Sequence, residues 1–221
     1  MLSLPVFGQE TETVELQFLC VKNGRELHLD SGDEQNEGEA EITRLKFYIT
    51  NIQLLNKGVA VHDFSQKAYL VDLEDESSLS VQESYPTELQ FDEVRFSLGV
   101  DSVTNMAGVQ GGDLDPMNGM YWTWQSGYIN FKLEGTHPDS QERNNEFHFH
   151  IGGYQGPYAA IQEIVLPMNS SSNVQIVLDL DYLLSKVNWA TQENIMSPGE
   201  SAFVFSQRLA KSFYINPFID E

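Results

Sequence analysis

Apolar and polar residues alternate along most of this chain. In Val14-Glu15-Leu16-Gln17-Phe18-Leu19-Cys20, positions 14, 16, 18 and 20 share one face of an extended strand, because successive strand side chains point to opposite sides. The same period of two predicts strands over residues 14–21, 45–54, 68–73, 88–98, 120–133, 146–151, 160–166 and 173–179. Polar, turn-rich pieces separate them, including Asn23-Gly24, residues 30–38, Asn56-Lys57-Gly58 and residues 167–172.

Helical spacing occurs only late in the chain. Residues 181–187 read as a short helix capped by Asp179 or Asp181. A second helix is expected from Ser197-Pro198-Gly199-Glu200, with Ser197 as N-cap, Pro198 in the first turn and Glu200 as the capping-box carboxylate. Ala202, Phe205, Leu209 and Phe213 follow at helical spacing and read as a core-facing stripe. Many short strands with few helices indicate an all-β protein, an antiparallel β-sandwich of about eight to ten strands with one or two short helices near the C-terminus. No repeat or linker divides the chain, so residues 10–221 are expected to form one domain. Residues 99–119, rich in Gly, Asp and Asn, read as one long irregular connection, and such loops often carry function.

Charge narrows the partners. Against 33 acidic residues stand 12 basic ones, for a net charge of −21. That excludes a nucleic-acid partner, disfavours anionic membrane surfaces and suits the attraction of cations. No apolar run approaches the roughly 18 residues of a membrane span. Cys20 is the single cysteine, so no intramolecular disulfide can form, and its place beside Val14, Leu16 and Phe18 makes it a buried small hydrophobe. Residues 1–9 run apolar to Val6-Phe7-Gly8 before turning polar, like the end of a signal peptide, and are expected to be its remnant or a simple tail.

Three segments carry candidate chemistry. In Glu146-Phe147-His148-Phe149-His150-Ile151, strand geometry puts His148 and His150 on one face, roughly 7 Å apart, where both can reach one metal ion. In Tyr121-Trp122-Thr123-Trp124, the two indoles project from one face, where they either fill a core or wall a binding site. Asp113-Leu114-Asp115-Pro116-Met117-Asn118 sets oxygen groups at alternate positions; Asp113, Asp115 and Asn118 fit a calcium loop weakly and a hydrogen-bonded turn better. No nucleophile elbow, phosphate loop or His-Glu-x-x-His motif is present, and the expectation is a protein that is not an enzyme.

These motifs together resemble the MbnP-like family, exported bacterial proteins related to MopE and CorA. The resemblance is carried by Arg44-Leu45-Lys46-Phe47-Tyr48-Ile49, Tyr69-Leu70-Val71-Asp72-Leu73, Phe96-Ser97-Leu98-Gly99-Val100-Asp101 and Gly112-Asp113-Leu114-Asp115-Pro116. It continues through Gly119-Met120-Tyr121-Trp122-Thr123-Trp124-Gln125-Ser126-Gly127-Tyr128, Phe149-His150-Ile151-Gly152-Gly153 and Asn194-Ile195-Met196-Ser197-Pro198-Gly199. It implies a β-sandwich that binds one copper, usually as Cu(I), in copper acquisition or delivery, in a periplasmic or secreted location. It implies two histidine ligands and a tryptophan oxidised to kynurenine, with a di-haem cytochrome c peroxidase-like protein and an outer-membrane copper transporter as partners. By position, His150 matches one histidine, and Trp122 or Trp124 the modified residue. The other histidine directly precedes the Trp-x-Trp in relatives; here that position is Tyr121. Thioether sulfur also suits Cu(I), so His150, His148 and Met120 form the candidate ligand set, with Met106 and Met117 in the preceding loop. The alternative reading is a β-sandwich that binds a non-metal ligand or a partner protein through Tyr121, Trp122 and Trp124.

Overall fold

The computed structural model describes residues 10–29, 38–123, 125–168, 172–191 and 194–217. Residues 1–9 and Trp124 lie outside this set. In chain order the strands are β1 (Thr11–Lys22), β2 (Arg25–Glu26), β3 (Glu41–Asn56), β4 (Val59–Asp63), β5 (Ala68–Asp72), β6 (Ser80–Pro86) and β7 (Glu93–Leu98). After them come β8 (Tyr121–Thr123), β9 (Gly127–Thr136), β10 (Glu146–Gly152), β11 (Gln162–Pro167), β12 (Asn173–Asp179), β13 (Asn194–Ile195) and β14 (Phe213–Ile215). The α-helices are α1 (Ser102–Met106), α2 (Leu180–Leu184) and α3 (Glu200–Ala210).

Two sheets face each other. The smaller, five-stranded sheet runs β14-β12-β1-β2, with β6 also on β1. The larger, nine-stranded sheet runs β11-β7-β3-β9-β10-β13, with β4 and β5 on β3 and β8 on β9. The sandwich expected from the alternation is present, but its sheets are mixed: β1 pairs parallel with β12, and β10 with β13. β12 follows β1 only after most of the chain has intervened, so it is free to arrive in either direction, unlike the second strand of a tight hairpin.

The alternating faces meet between the sheets. Val14, Leu16, Phe18 and Cys20 from β1 pack into one core with Leu45, Phe47, Phe131, Phe149 and Phe205. Burial raises the Cys20 thiol well above its ordinary range, consistent with an inert small hydrophobe. α3 covers one end of β10 and β11 with Ala202, Phe205 and Leu209 buried. Its start differs from the sequence reading. The N-cap is Gly199, at φ +156, and no side chain caps the helix. Pro198 instead packs beside Gly153, which draws Ser197 and Pro198 out of the first turn. α2 matches expectation, with the Asp179 carboxylate accepting from the Tyr182 amide at 2.8 Å.

The segment read as one strand over residues 120–133 is a hairpin. β8 pairs antiparallel with β9, Tyr121 opposite Tyr128 and Thr123 opposite Gly127. Gly127 sits at φ +74 against the side chains of Asn105 and Tyr154, a place where no Cβ fits. The single long connection over residues 99–119 contains α1 and two turns of 3-10 helix.

Candidate functional site

The site is built on the outer face of the larger sheet. Phe47, Phe131 and Phe149 point into the core from β3, β9 and β10, so the residues between them point away from it. Register then aligns the outward side chains in rows. Asp72, Lys46, Lys132 and His150 stand side by side across β5, β3, β9 and β10, and Arg44, Glu134 and His148 form the next row.

His150 is the best-anchored member. It is 7 % exposed, and its Nε2 lies 2.7 Å from Glu134 Oε1. A carboxylate only accepts, so the ring proton sits on Nε2 and the Nδ1 lone pair is left as a ligand. A carboxylate behind an imidazole is the arrangement that orients metal-binding histidines. Glu134 is itself held by Arg44 Nη1 at 2.8 Å. Burial pushes the His150 pKa below its ordinary value against the opposing pull of the Glu134 bond, with the Lys132 charge adding to the fall, which favours the uncharged ring that metal ligation needs. Burial alone raises the Glu134 pKa, but its bond to His150 and the nearby charges of Arg44 and Lys132 bring it below the usual carboxylate value.

His148 stands on the same face. Its Nδ1 lies 3.2 Å from the Asn194 Oδ1 of β13, which leaves Nε2 unprotonated when that bond is donated from the ring. The two rings are edge to face with centres 6.2 Å apart. Among the described residues, no group of three or more His, Cys, Asp or Glu is placed to hold a metal ion. His28, His62 and His137 lie elsewhere; the His137 ring stacks on Trp189 at 4.0 Å.

The 99–119 connection and β8 lie over the adjoining part of this face. Tyr48 and Tyr128 donate their hydroxyls to the carbonyls of Asp113 and Leu114, at 2.9 and 3.0 Å. These tyrosines, with Val100, Leu114, Met120 and Ile129, form a second apolar cluster against which Tyr121 and Trp122 pack. The Trp122 ring lies against Gly152: a Cβ built there falls 2.8 Å from Trp122 Cζ3. Gly152 is two residues along β10 from His150, on the order of 7 Å. The structure therefore brings Trp122 and His150 to one end of one strand. Met120 is wholly buried in the second cluster, while Met106 and Met117 are exposed.

The Asp113 loop has an evident structural role. Asp113 Oδ2 accepts from the Leu70 amide at 3.1 Å and from Gln66 Nε2 at 3.0 Å. Asp115 Oδ1 accepts from the Met117 amide at 2.8 Å, and Asn118 Nδ2 donates to the Asp113 carbonyl at 2.9 Å. These are the bonds of an Asx-type turn that pins the loop to β5.

A sequence profile named MbnP matches residues 11–197. The chain belongs to the MbnP family. Its fold is similar to that of MbnP from Methylosinus trichosporium, with a TM-score of 0.61 at 16 % identity over 82 % of this chain and 80 % of that one. Among curated proteins no sequence matches. In this MbnP-family chain, Tyr121 stands where the resemblance places a histidine before Trp122, and its ring packs edge-on against Tyr128 with centres 4.9 Å apart. The imidazole that stands beside His150 is that of His148, from the same strand. Sequence reasoning missed Glu134, Arg44, Lys132 and Asn194. The one available signal was Lys132-Leu133-Glu134, whose charged residues share a face; their register against His148 and His150 is a property of pairing and is not written in either strand alone.

The protonation state of this site gives a pH prediction. The folded His150 pKa lies below the unfolded value of about 6.5. Above that value the folded and unfolded rings are both neutral. As pH falls below it, the unfolded state takes up a proton that the folded ring refuses, so stability drops. His137, lowered by burial, acts in the same direction. The thermal midpoint is expected to fall between pH 7 and pH 5, and His150→Gln to flatten that slope. Equal slopes for the two proteins would remove His150 from the account.

Proposed function

We propose that this protein binds copper as Cu(I), without catalysis, as an exported member of its family that acquires copper or hands it on. The observation that carries the reading is the meeting of Trp122 with the strand that bears two imidazoles, each held by a hydrogen-bond partner at one ring nitrogen. His150 and His148 would hold the ion through nitrogen. Imidazole and thioether donors suit a soft, monovalent cation, and neither brings charge to it. Copper would supply soft Lewis-acid binding, and the protein's part is to fix the donors and limit water. Glu134 and Arg44 hold the His150 ring. Tyr48, Tyr128 and Asp113 hold the loop that carries Met120 and Trp122 over this face. The acidic exterior, at −21 overall, raises the local concentration of cations.

Delivery would require release to a partner, and the di-haem peroxidase-like protein and the outer-membrane transporter implied by the family resemblance are the partners proposed. The reading is tested by anaerobic titration with Cu(I) against a chromophoric chelator. Wild type should take up one equivalent, and His150→Ala should bind at least tenfold more weakly. Equal affinity in the two proteins would end the copper assignment at this site.

A further inference from the structure

Beside His150 lies a buried cation with no carboxylate of its own. Lys132 stands directly across from His150 in the β9–β10 register and is 9 % exposed. Its ammonium donates to the carbonyl of Gly119 at 2.5 Å. Among the described residues it makes no ion pair. Glu134, the nearest carboxylate acting on it, is taken by Arg44 and His150, and an ammonium buried without a direct ion pair is costly.

Its charged neighbours are already matched. Arg44 pairs with Glu134 at 2.8 Å, and Lys46 with Asp72 and Glu74 at 2.7 and 3.0 Å. In these two rows Arg44, Lys46 and Lys132 stand among Asp72, Glu74 and Glu134, and Glu41 and Glu146 follow in the row beyond His148. Imidazole ligates a metal in its uncharged form and adds no charge to the ion. A bound ion keeps its whole charge, and its repulsion from Lys132 grows in proportion to that charge.

We propose that Lys132 is a specificity-determining residue of the His148–His150 site, admitting a monovalent cation and penalising a divalent one. The inference rests on the copper reading above. It assigns to one side chain the choice between Cu(I) and ions such as Zn(II), a choice that two imidazoles alone do not make, since imidazole suits both metals. Removing the ammonium takes away a repulsion that is twice as large for a divalent ion, and so favours the higher ionic charge. Lys132→Met keeps the stem and removes the ammonium; Lys132→Arg keeps the charge.

The test is the ratio of Zn(II) to Cu(I) dissociation constants, measured by chelator competition on the full chain of wild type and both variants. Near-ultraviolet circular dichroism checks that the Trp122 segment keeps its setting. Lys132→Met should improve Zn(II) binding relative to Cu(I) by tenfold or more, and Lys132→Arg should hold the wild-type ratio. An unchanged ratio in Lys132→Met, or the same change in Lys132→Arg, overturns the inference while leaving copper binding in place. A Met variant that loses the Trp122 signal and weakens both metals equally makes Lys132 a structural tether and also overturns it. Wild type that binds neither ion ends the copper reading and the inference together.

Discussion

Replacing Gly152 by alanine is expected to destabilise the protein by about 2–3 kcal/mol, the cost of forcing atoms into a filled space. The added Cβ falls 2.6 Å from the Tyr128 carbonyl oxygen and 2.8 Å from Trp122 Cζ3. The first contact is with backbone, in the β9–β10 ladder at its bulge between Ile151 and Gly152, and cannot turn away. The second is with an indole packed against the apolar cluster of Met120, Tyr128 and Ile129. Either β10 moves from β9 or Trp122 is levered off the strand. The tryptophan emission of the variant should shift to the red, and its Cu(I) affinity should fall although no donor has been changed. Chemical denaturation and a fluorescence spectrum check this directly. A variant with wild-type stability and emission would show that the Trp122–Gly152 contact is absent in solution.

A larger loss is expected from Phe47→Ala, about 3–5 kcal/mol, the usual range for emptying a buried phenylalanine site. Phe47 is fully buried and joins the two sheets. Its ring lies 6.1 Å from Phe18 of β1, 6.2 Å from Phe131 of β9 and 5.8 Å from Phe213 of β14. These neighbours come from both sides of the sandwich, and none can fill the space without leaving its own strand. Because Lys46 and Tyr48 flank Phe47 on the outer face of β3, the damage should reach the face that carries His148 and His150 as well. The denaturation midpoint should fall strongly with little change in the slope. A loss below about 1 kcal/mol would mean that the core closes over the gap, against the packing described.

The sandwich was legible because each core strand carries its own record. Val14 to Cys20 alternate on β1, and Phe147, Phe149 and Ile151 alternate on β10, so one buried face follows from the period alone. The breaks were harder to see. Trp122 and Tyr128 both fit a strand pattern, and only the positive φ of Gly127, pressed against Asn105, reveals that the chain reverses between them. β4 and β6 were missed because their outer residues, such as Val59 and Val61 or Gln82 and Ser84, leave no clear alternation. At the site, the pairing of His148 and His150 on one face could be read, since residues two apart on a strand must share it. The groups that give those rings their chemistry come from other strands. Glu134, Arg44 and Lys132 reach His150 through register, and Asn194 reaches His148 from a two-residue strand near the C-terminus.

Copper bound on the outer face of β10 should show itself when all five imidazoles are watched while copper is added. Nitrogen-15 NMR of the histidine side chains, recorded anaerobically during a Cu(I) titration, reports each ring separately. The ring nitrogens of His150 and His148 should shift together and saturate at one equivalent, with His28, His62 and His137 unmoved. Copper that moves one of those three instead, or leaves His150 Nδ1 untouched at saturation, would contradict a soft-metal site on the outer face of β10.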